Sequence, residues 1–299
     1  MTAVFLDGIV LGLQFGLLGV GMTLVYGLGG VLNLAHGSMA VAGAIVVANS
    51  MAAGAPVLVA AGAGLLAVGV LGLILDATLM QAVYRLHGEN RVLLSLLLTL
   101  GVAFIIDGLL VWRYPIGSLG IHISGDPVEI LGVRMRTGSL VASAISIVAG
   151  AALVAFFRLT TAGKAVRSVI QDEIGARLCG INPAAVRSLI FGLSGMLAAL
   201  VAITKSMTAP ITTTAGIDFT ILALIVTVVG GLGSVAGAFL AGILLGIVNT
   251  VSSFYIGTYI TSIMLLAAAA LTILLRPSGL PIRSLGNHKK VTLFRRGFG

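Results

Sequence analysis

The sequence predicts an all-α, polytopic bundle integral to a membrane, with about 8–10 transmembrane or broken helices. Three observations carry that expectation. Of 299 residues, 59% are hydrophobic and only 9% charged, against about 25% charged in ordinary soluble domains. Apolar runs approaching the roughly 20 residues needed to cross a hydrocarbon core recur along the chain. The 41 glycines suit helices packed backbone to backbone, because lipid gives apolar side chains no reason to prefer each other and close approach must supply the attraction.

In chain order, the apolar runs lie near 8–31, 37–54, 56–80, 92–112, 139–157, 188–204, 219–229, 235–254 and 259–275. Gly8, Gly12 and Gly16 repeat at four-residue spacing, as do Gly242 and Gly246, and are read as helix contacts. Met1 to Asp7 precede the first run without a basic residue, the first being Arg85, so that run is expected to be a retained helix and not a cleaved signal. A single cysteine, Cys179, excludes an intramolecular disulfide framework and a multi-cysteine zinc site. No metal site is expected.

Orientation follows from the basic residues, which are retained on the cytoplasmic side. With 81–91, 158–187 and the tail 276–299 on one side, that side holds 13 of the 17 Lys and Arg, and the other keeps Arg113, Arg134, Arg136 and Lys205. The amino terminus is then expected outside and the carboxyl terminus in the cytoplasm. Topology and attraction to anionic lipid account for the net charge of +8, so no nucleic-acid partner is needed. The whole chain, 1–299, reads as one transmembrane domain with an exterior insert at 113–138 and an interrupting inner segment at 158–187.

Four segments carry more. Between Tyr26 and Ser38 an apolar helix breaks into glycines and polar side chains. Broken helices at membrane depth occur only where protein or a watery cavity meets the freed backbone. Tyr26, Asn33, His36 and Ser38 are therefore candidates for lining a substrate path, with backbone satisfaction at the break as the alternative role for Asn33 and His36. In the exterior insert, Val128 to Met135 could pair as a hairpin across Gly132. In the inner segment, Thr160 or Thr161 can cap a helix running to about Cys179, Gly180 stops it, and Asn182-Pro183 caps and opens the next. Val166, Ile170 and Ile174 form one apolar strip on that helix, suited to a groove on another protein or to the lipid interface. Gly230, Gly231, Gly233 and Ser234 form a second break between apolar runs.

These segments, Tyr26 to Gly37, Gly163 to Ile181 and Gly230 to Gly237, resemble in order and spacing the membrane permeases of ABC importers for branched-chain amino acids, in their shorter subunit type. The resemblance covers most of the chain. It implies an ATP-driven importer of branched-chain or related hydrophobic amino acids in a bacterial inner membrane. Implied partners are a homologous or identical second permease, two cytoplasmic ATP-binding subunits and a periplasmic or extracellular solute-binding protein. It also implies that the helix from Gly163 to Gly180 couples to the ATPase, with Arg167, Asp172, Arg177 and Gly180 matching the pattern. Ala236 stands where the family often has Pro, and Asn249 where many members carry an acid. The family also includes permeases for urea and short amides.

The chain lacks a G-x-x-x-x-G-K-[ST] run: Gly163-Lys164 is followed by Ala165 and lacks the upstream glycine, so ATP is expected on partner subunits and no cofactor on this chain. An ion-coupled transporter working alone, with Asp76 or Asp107 as the ion-carrying acid, is the competing expectation, although both acids lie near predicted helix ends, where snorkelling or pairing is the alternative role. The long inner segment favours the ABC permease. A membrane enzyme would need converging catalytic groups around His36, and the sequence offers no nucleophile, base and acid there, so no catalytic residue is assigned.

Overall fold

A computed structural model describes residues 2–115, 118–121, 123, 125–130 and 133–275. The tail 276–299, on which part of the orientation argument rests, lies outside the described residues. Helices dominate: α1 (Thr2–Gly29), α2 (His36–Ala52), α3 (Val57–Leu75), a π-helical turn (Asp76–Met80) leading into the one-turn α4 (Gln81–Val83), and α5 (Glu89–Arg113). They continue with α6 (Thr137–Leu159), α7 (Thr161–Gln171), α8 (Glu173–Leu178), α9 (Pro183–Thr208), α10 (Gly216–Gly230), α11 (Val235–Ile256) and α12 (Thr258–Leu275). Among the described residues, seven helical spans are long and apolar enough to cross a membrane, and α2 and α10 are shorter apolar helices. Each of the nine apolar runs falls on one of them. This is the polytopic helical bundle that the composition requires.

α1 is the central column, packed against α11, α9, α10 and α6, with Leu17, Leu18 and Met22 fully buried. Its contact with α11 is built on glycine. A Cβ on Gly246 would lie 2.2 Å from Gly12 Cα, and one on Gly242 2.2 Å from Gly16 Cα. No side chain larger than hydrogen fits there, so the two backbones touch and gain dispersion contacts that lipid cannot match. By contrast α5, α6 and α12 keep most of their apolar surface outward, as expected for helices facing lipid or another subunit.

Two clusters close the ends of the bundle. At one end Asn49 donates to the Tyr114 hydroxyl at 2.6 Å and Ile121 N–H to Ser206 O at 3.0 Å. The strands Ser118–Leu119 (β1) and Ile211–Thr212 (β4) pair there, and Val128–Ile130 (β2) pairs with Val133–Met135 (β3) in the expected antiparallel hairpin, with Val128 opposite Met135. The turn at Gly132 lies outside the described residues. At the other end Arg91 holds Gly29 O, Tyr84 O and Leu86 O at 3.2, 3.1 and 2.8 Å, tying the last turn of α1 to the loop after α4.

Candidate functional site

The chain between α1 and α2 is not helical, yet it lies inside the bundle, so its backbone groups need partners. Small polar side chains on other helices supply them. Leu34 N–H donates to Thr99 Oγ1 at 3.0 Å and Leu32 N–H to Ser95 Oγ at 3.4 Å, both on α5. Thr220 on α10 accepts from Gly37 N–H at 3.0 Å and lies 3.1 Å from Leu34 O. Within the break, Asn33 Oδ1 accepts from Ala35 N–H at 3.0 Å, an Asx turn that leads the chain into α2.

His36 opens α2 and is wholly buried. Its Nε2 lies 3.3 Å from Leu18 O on α1, and its Nδ1 3.4 Å from Ser194 Oγ on α9. The ring therefore sits between three helices, against Gly21, where a Cβ would come within 2.9 Å of its Cε1. Asn33 and Ser38 are buried and Tyr26 half-buried.

The second break begins where α10 ends at Gly230, with Gly231 and Gly233 at φ +96° and +88°. Ser234 then caps α11, its hydroxyl accepting from Gly237 N–H at 3.1 Å. A Cβ on Gly27 would lie 3.4 Å from Gly233 Cα. The two glycine-rich breaks are thus neighbours across the bundle.

The inner segment differs from the single helix that the sequence suggested. Asp172 is extended, at φ −155° and ψ 105°, and splits the helix into α7 and α8. Its carboxylate accepts from Ile174 N–H at 3.0 Å and so caps the second piece, favourably placed against the helix dipole. Gly175 makes this possible, since a Cβ there would meet Asp172 Oδ2 at 2.6 Å. The apolar strip divides accordingly. Val166 and Val169 face the bundle, whereas Ile170, Ile174 and Leu178 are 43%, 73% and 84% exposed. Thr160 caps α7 through Gly163 N–H at 2.9 Å, and Gly163 packs against the last turn of α6. Gly180, at φ +82°, lets Ile181 N–H turn back to Ala176 O at 3.0 Å, the left-handed stop that only glycine adopts without penalty. Asn182 caps α9 and Pro183 opens it, as expected. Arg167 and Arg177 are exposed.

A polar relay fixes this segment to the bundle. Glu173 accepts from Arg187 at 2.5 Å and Arg177 at 2.7 Å. Burial alone would raise the Glu173 carboxyl, but the hydrogen bonds and charges of Arg187 and Arg177 outweigh it and hold it below the usual range. The Arg187 guanidinium lies over the Tyr84 ring, 4.8 Å from its centroid. Tyr84 donates to Asp76 Oδ1 at 3.1 Å, and Ser188 and Gln81 donate to the other oxygen. Asp76 is the first residue of the π turn, a distortion often found at functional positions.

Sequence reasoning missed this relay because its members are spread from 76 to 188 and no spacing links them. It also missed Ser95, Thr99 and Thr220. Ser95 and Thr99 stand one turn apart in an apolar helix, a pattern that could have marked a polar stripe.

Residues 4–275 match the family described as branched-chain amino acid transport system / permease component. The chain is 28% identical to the high-affinity branched-chain amino acid transport system permease protein LivH of Escherichia coli (strain K12), over 92% of this chain and 93% of that protein. It is 27% identical to LivH of Salmonella typhimurium, with the same coverage. It is 25% identical to the BraD permease protein of Pseudomonas aeruginosa, again over 92% and 93%. No solved structure matches the chain.

Proposed function

The chain belongs to the branched-chain amino acid transport system permease family, and from that membership we propose that it builds the membrane path of an ATP-driven importer for branched-chain or related hydrophobic amino acids. It is a multi-pass transport component and not an enzyme. In this reading a second permease, homologous or identical, completes the path. Two cytoplasmic ATP-binding subunits bind and hydrolyse ATP, and a periplasmic or extracellular binding protein delivers the solute. The host membrane is a bacterial plasma membrane, with the amino terminus outside and the carboxyl terminus in the cytoplasm, in accord with the distribution of basic residues.

The observation that carries the coupling role is the helix pair α7–α8. It presents Ile170, Ile174 and Leu178 outward beside Arg167 and Arg177, while Glu173 anchors it to Arg187. Exposed apolar side chains flanked by cations fit a groove on an acidic-rimmed partner. Gly163, Asp172 and Gly180 then set its shape. Movement of α8 would pull on Arg187 and Tyr84 and so on the π turn and the inner end of α1, where the chain enters the Tyr26–Ser38 break. Tyr26, Asn33, His36 and Ser38 would line or support the path, with Gly230, Gly231, Gly233 and Ser234 forming the second break. A rocking motion between two packed states is the transition such an arrangement serves.

Purification of the tagged chain from its native membranes in mild detergent, followed by mass spectrometry, tests this reading. A P-loop ATPase and a permease stoichiometry of two are the expected companions. Recovery of the chain alone would contradict it.

A further inference from the structure

We propose that Arg187 exchanges acceptors during transport, passing from Glu173 on α8 to Asp76 in the π turn, and so carries movement of the inner helix pair into the membrane bundle. The proposal deepens the functional reading above and rests on its assignment of α7–α8 as the docking element.

Arg187 stands between two carboxylates in unlike settings. On one side is Glu173, whose side chain is 36% exposed and also holds Arg177 at 2.7 Å. If Arg187 leaves, Glu173 keeps a cation and gains water. On the other side is Asp76, wholly buried, which accepts from three neutral donors, Ser188, Tyr84 and Gln81. An acid that only accepts hydrogen bonds is ionised. Among the described residues, arginines pair with Glu173 and none with Asp76. A buried carboxylate held by neutral groups alone lacks the counter-charge that would offset its desolvation.

Arg187 can supply that charge. Its Nη2 serves Glu173, while its Nε is buried and, among the described residues, has no acceptor. The way across is short. Tyr84 lies under the guanidinium, 4.8 Å from it at the ring centroid, and donates to Asp76 Oδ1 at 3.1 Å. Ser188, next to Arg187 on α9, donates to the other oxygen. The charges of Arg187 and Asp76 already act on each other. A planar guanidinium can slide over an aromatic face without losing its attraction to the ring, so the exchange needs side-chain rotation and no break in α9.

The exchange also moves the groups around it. Once Arg187 reaches Asp76, Ser188 and Tyr84 compete with it for the same oxygens, and the π turn loses the arrangement that now holds it. The Tyr84 ring is set against Gly29, where a Cβ would come within 2.7 Å of Cε1, and Arg91 joins Tyr84 O to Gly29 O. A shift of Tyr84 therefore reaches the end of α1, inside the Tyr26–Ser38 break. Two discrete pairings of one cation make a bistable element, which rocking between two states requires.

The test uses Cys179, the chain's single cysteine, exposed directly after α8. A nitroxide is attached there, and its mobility is read by electron paramagnetic resonance in the purified full chain in lipid nanodiscs without nucleotide. Asp76→Asn removes the second acceptor, keeps Arg187 on Glu173 and should slow the label. Glu173→Gln frees Arg187 for Asp76 and should speed it, each change being about twofold. A relay with only a structural role would loosen α8 in both variants, so changes of the same sign would overturn the exchange. If Asp76→Asn does not fold, Ser188→Ala replaces it. That variant leaves Asp76 short of a donor, should draw Arg187 across and speed the label, and an unchanged label would overturn the exchange. In proteoliposomes with the companion subunits and ATP, Asp76→Asn and Glu173→Gln should each slow leucine uptake by roughly tenfold, and parental uptake in either would contradict the proposal. The label needs neither ATP nor a partner. Opposite label changes without any ATP-driven uptake by the parent would therefore keep the exchange and sink the functional reading, whereas changes of the same sign in a complex that transports leucine would do the reverse.

Discussion

Arg187 donates to Glu173 at 2.5 Å while its guanidinium rests 4.8 Å from the centroid of the Tyr84 ring. One buried cation thereby joins α8 to α9 and to the loop after α4. Arg187 is only 8% exposed, so its charge relies on these two neighbours rather than on water.

Glu173→Gln should weaken the folded protein in a pH-dependent way. The neighbouring arginines lower the folded pKa of Glu173, so the carboxylate contributes fully above its ordinary value of 4.5 and loses its contribution as pH falls through the lowered one. Thermal midpoints measured in detergent from pH 7 downward should fall toward acid in the parent, with the part due to Glu173 missing from the variant. Identical pH profiles would remove the relay's electrostatic role.

Gly246→Val should dissociate α11 from α1. The added Cβ would sit 2.2 Å from Gly12 Cα, which no rotamer change relieves, and overpacking of this kind costs about 1–3 kcal/mol or more. Gly62→Ala is the matched control, because nothing lies within 4 Å of its Cβ position. Size-exclusion profiles of the solubilised proteins should show loss of the monodisperse peak for the first and none for the second.

Thr99→Val should destabilise the break between α1 and α2. It keeps the shape of the side chain but removes the acceptor for Leu34 N–H, and an unsatisfied buried donor costs about 1–3 kcal/mol. A midpoint unchanged from the parent would mean that another group takes over that N–H.

Arg167→Glu tests the proposed docking face. Arg167 is exposed on α7, so the bundle should fold and melt as before while the ATP-binding partner is lost on purification. Full recovery of that partner would move the docking site elsewhere.

The apolar runs, the role of Gly8, Gly12, Gly16, Gly242 and Gly246 as helix contacts and the start of α9 at Asn182-Pro183 were readable because each depends on residues close in sequence or on a simple spacing, whereas the pairing of α1 with α11 through those glycines was not. The break at Asp172 was not. A helix through Val166, Ile170 and Ile174 has a regular strip, and only the three-dimensional setting shows Val166 and Val169 turned inward while the Asp172 carboxylate takes up a new cap over Gly175. The polar partners of the first break were hidden for a related reason. Leu32, Leu34 and Gly37 find Ser95, Thr99 and Thr220 from 63 to 186 residues away, and no local pattern specifies such pairings.

ATP-driven uptake separates an importer subunit from a carrier that works alone. The complex recovered with this chain is placed in proteoliposomes with the solute-binding protein outside and ATP inside, and radiolabelled leucine is followed. Accumulation should require ATP and be indifferent to proton and sodium gradients. Uptake by this chain alone, driven by an ion gradient without ATP, would contradict it.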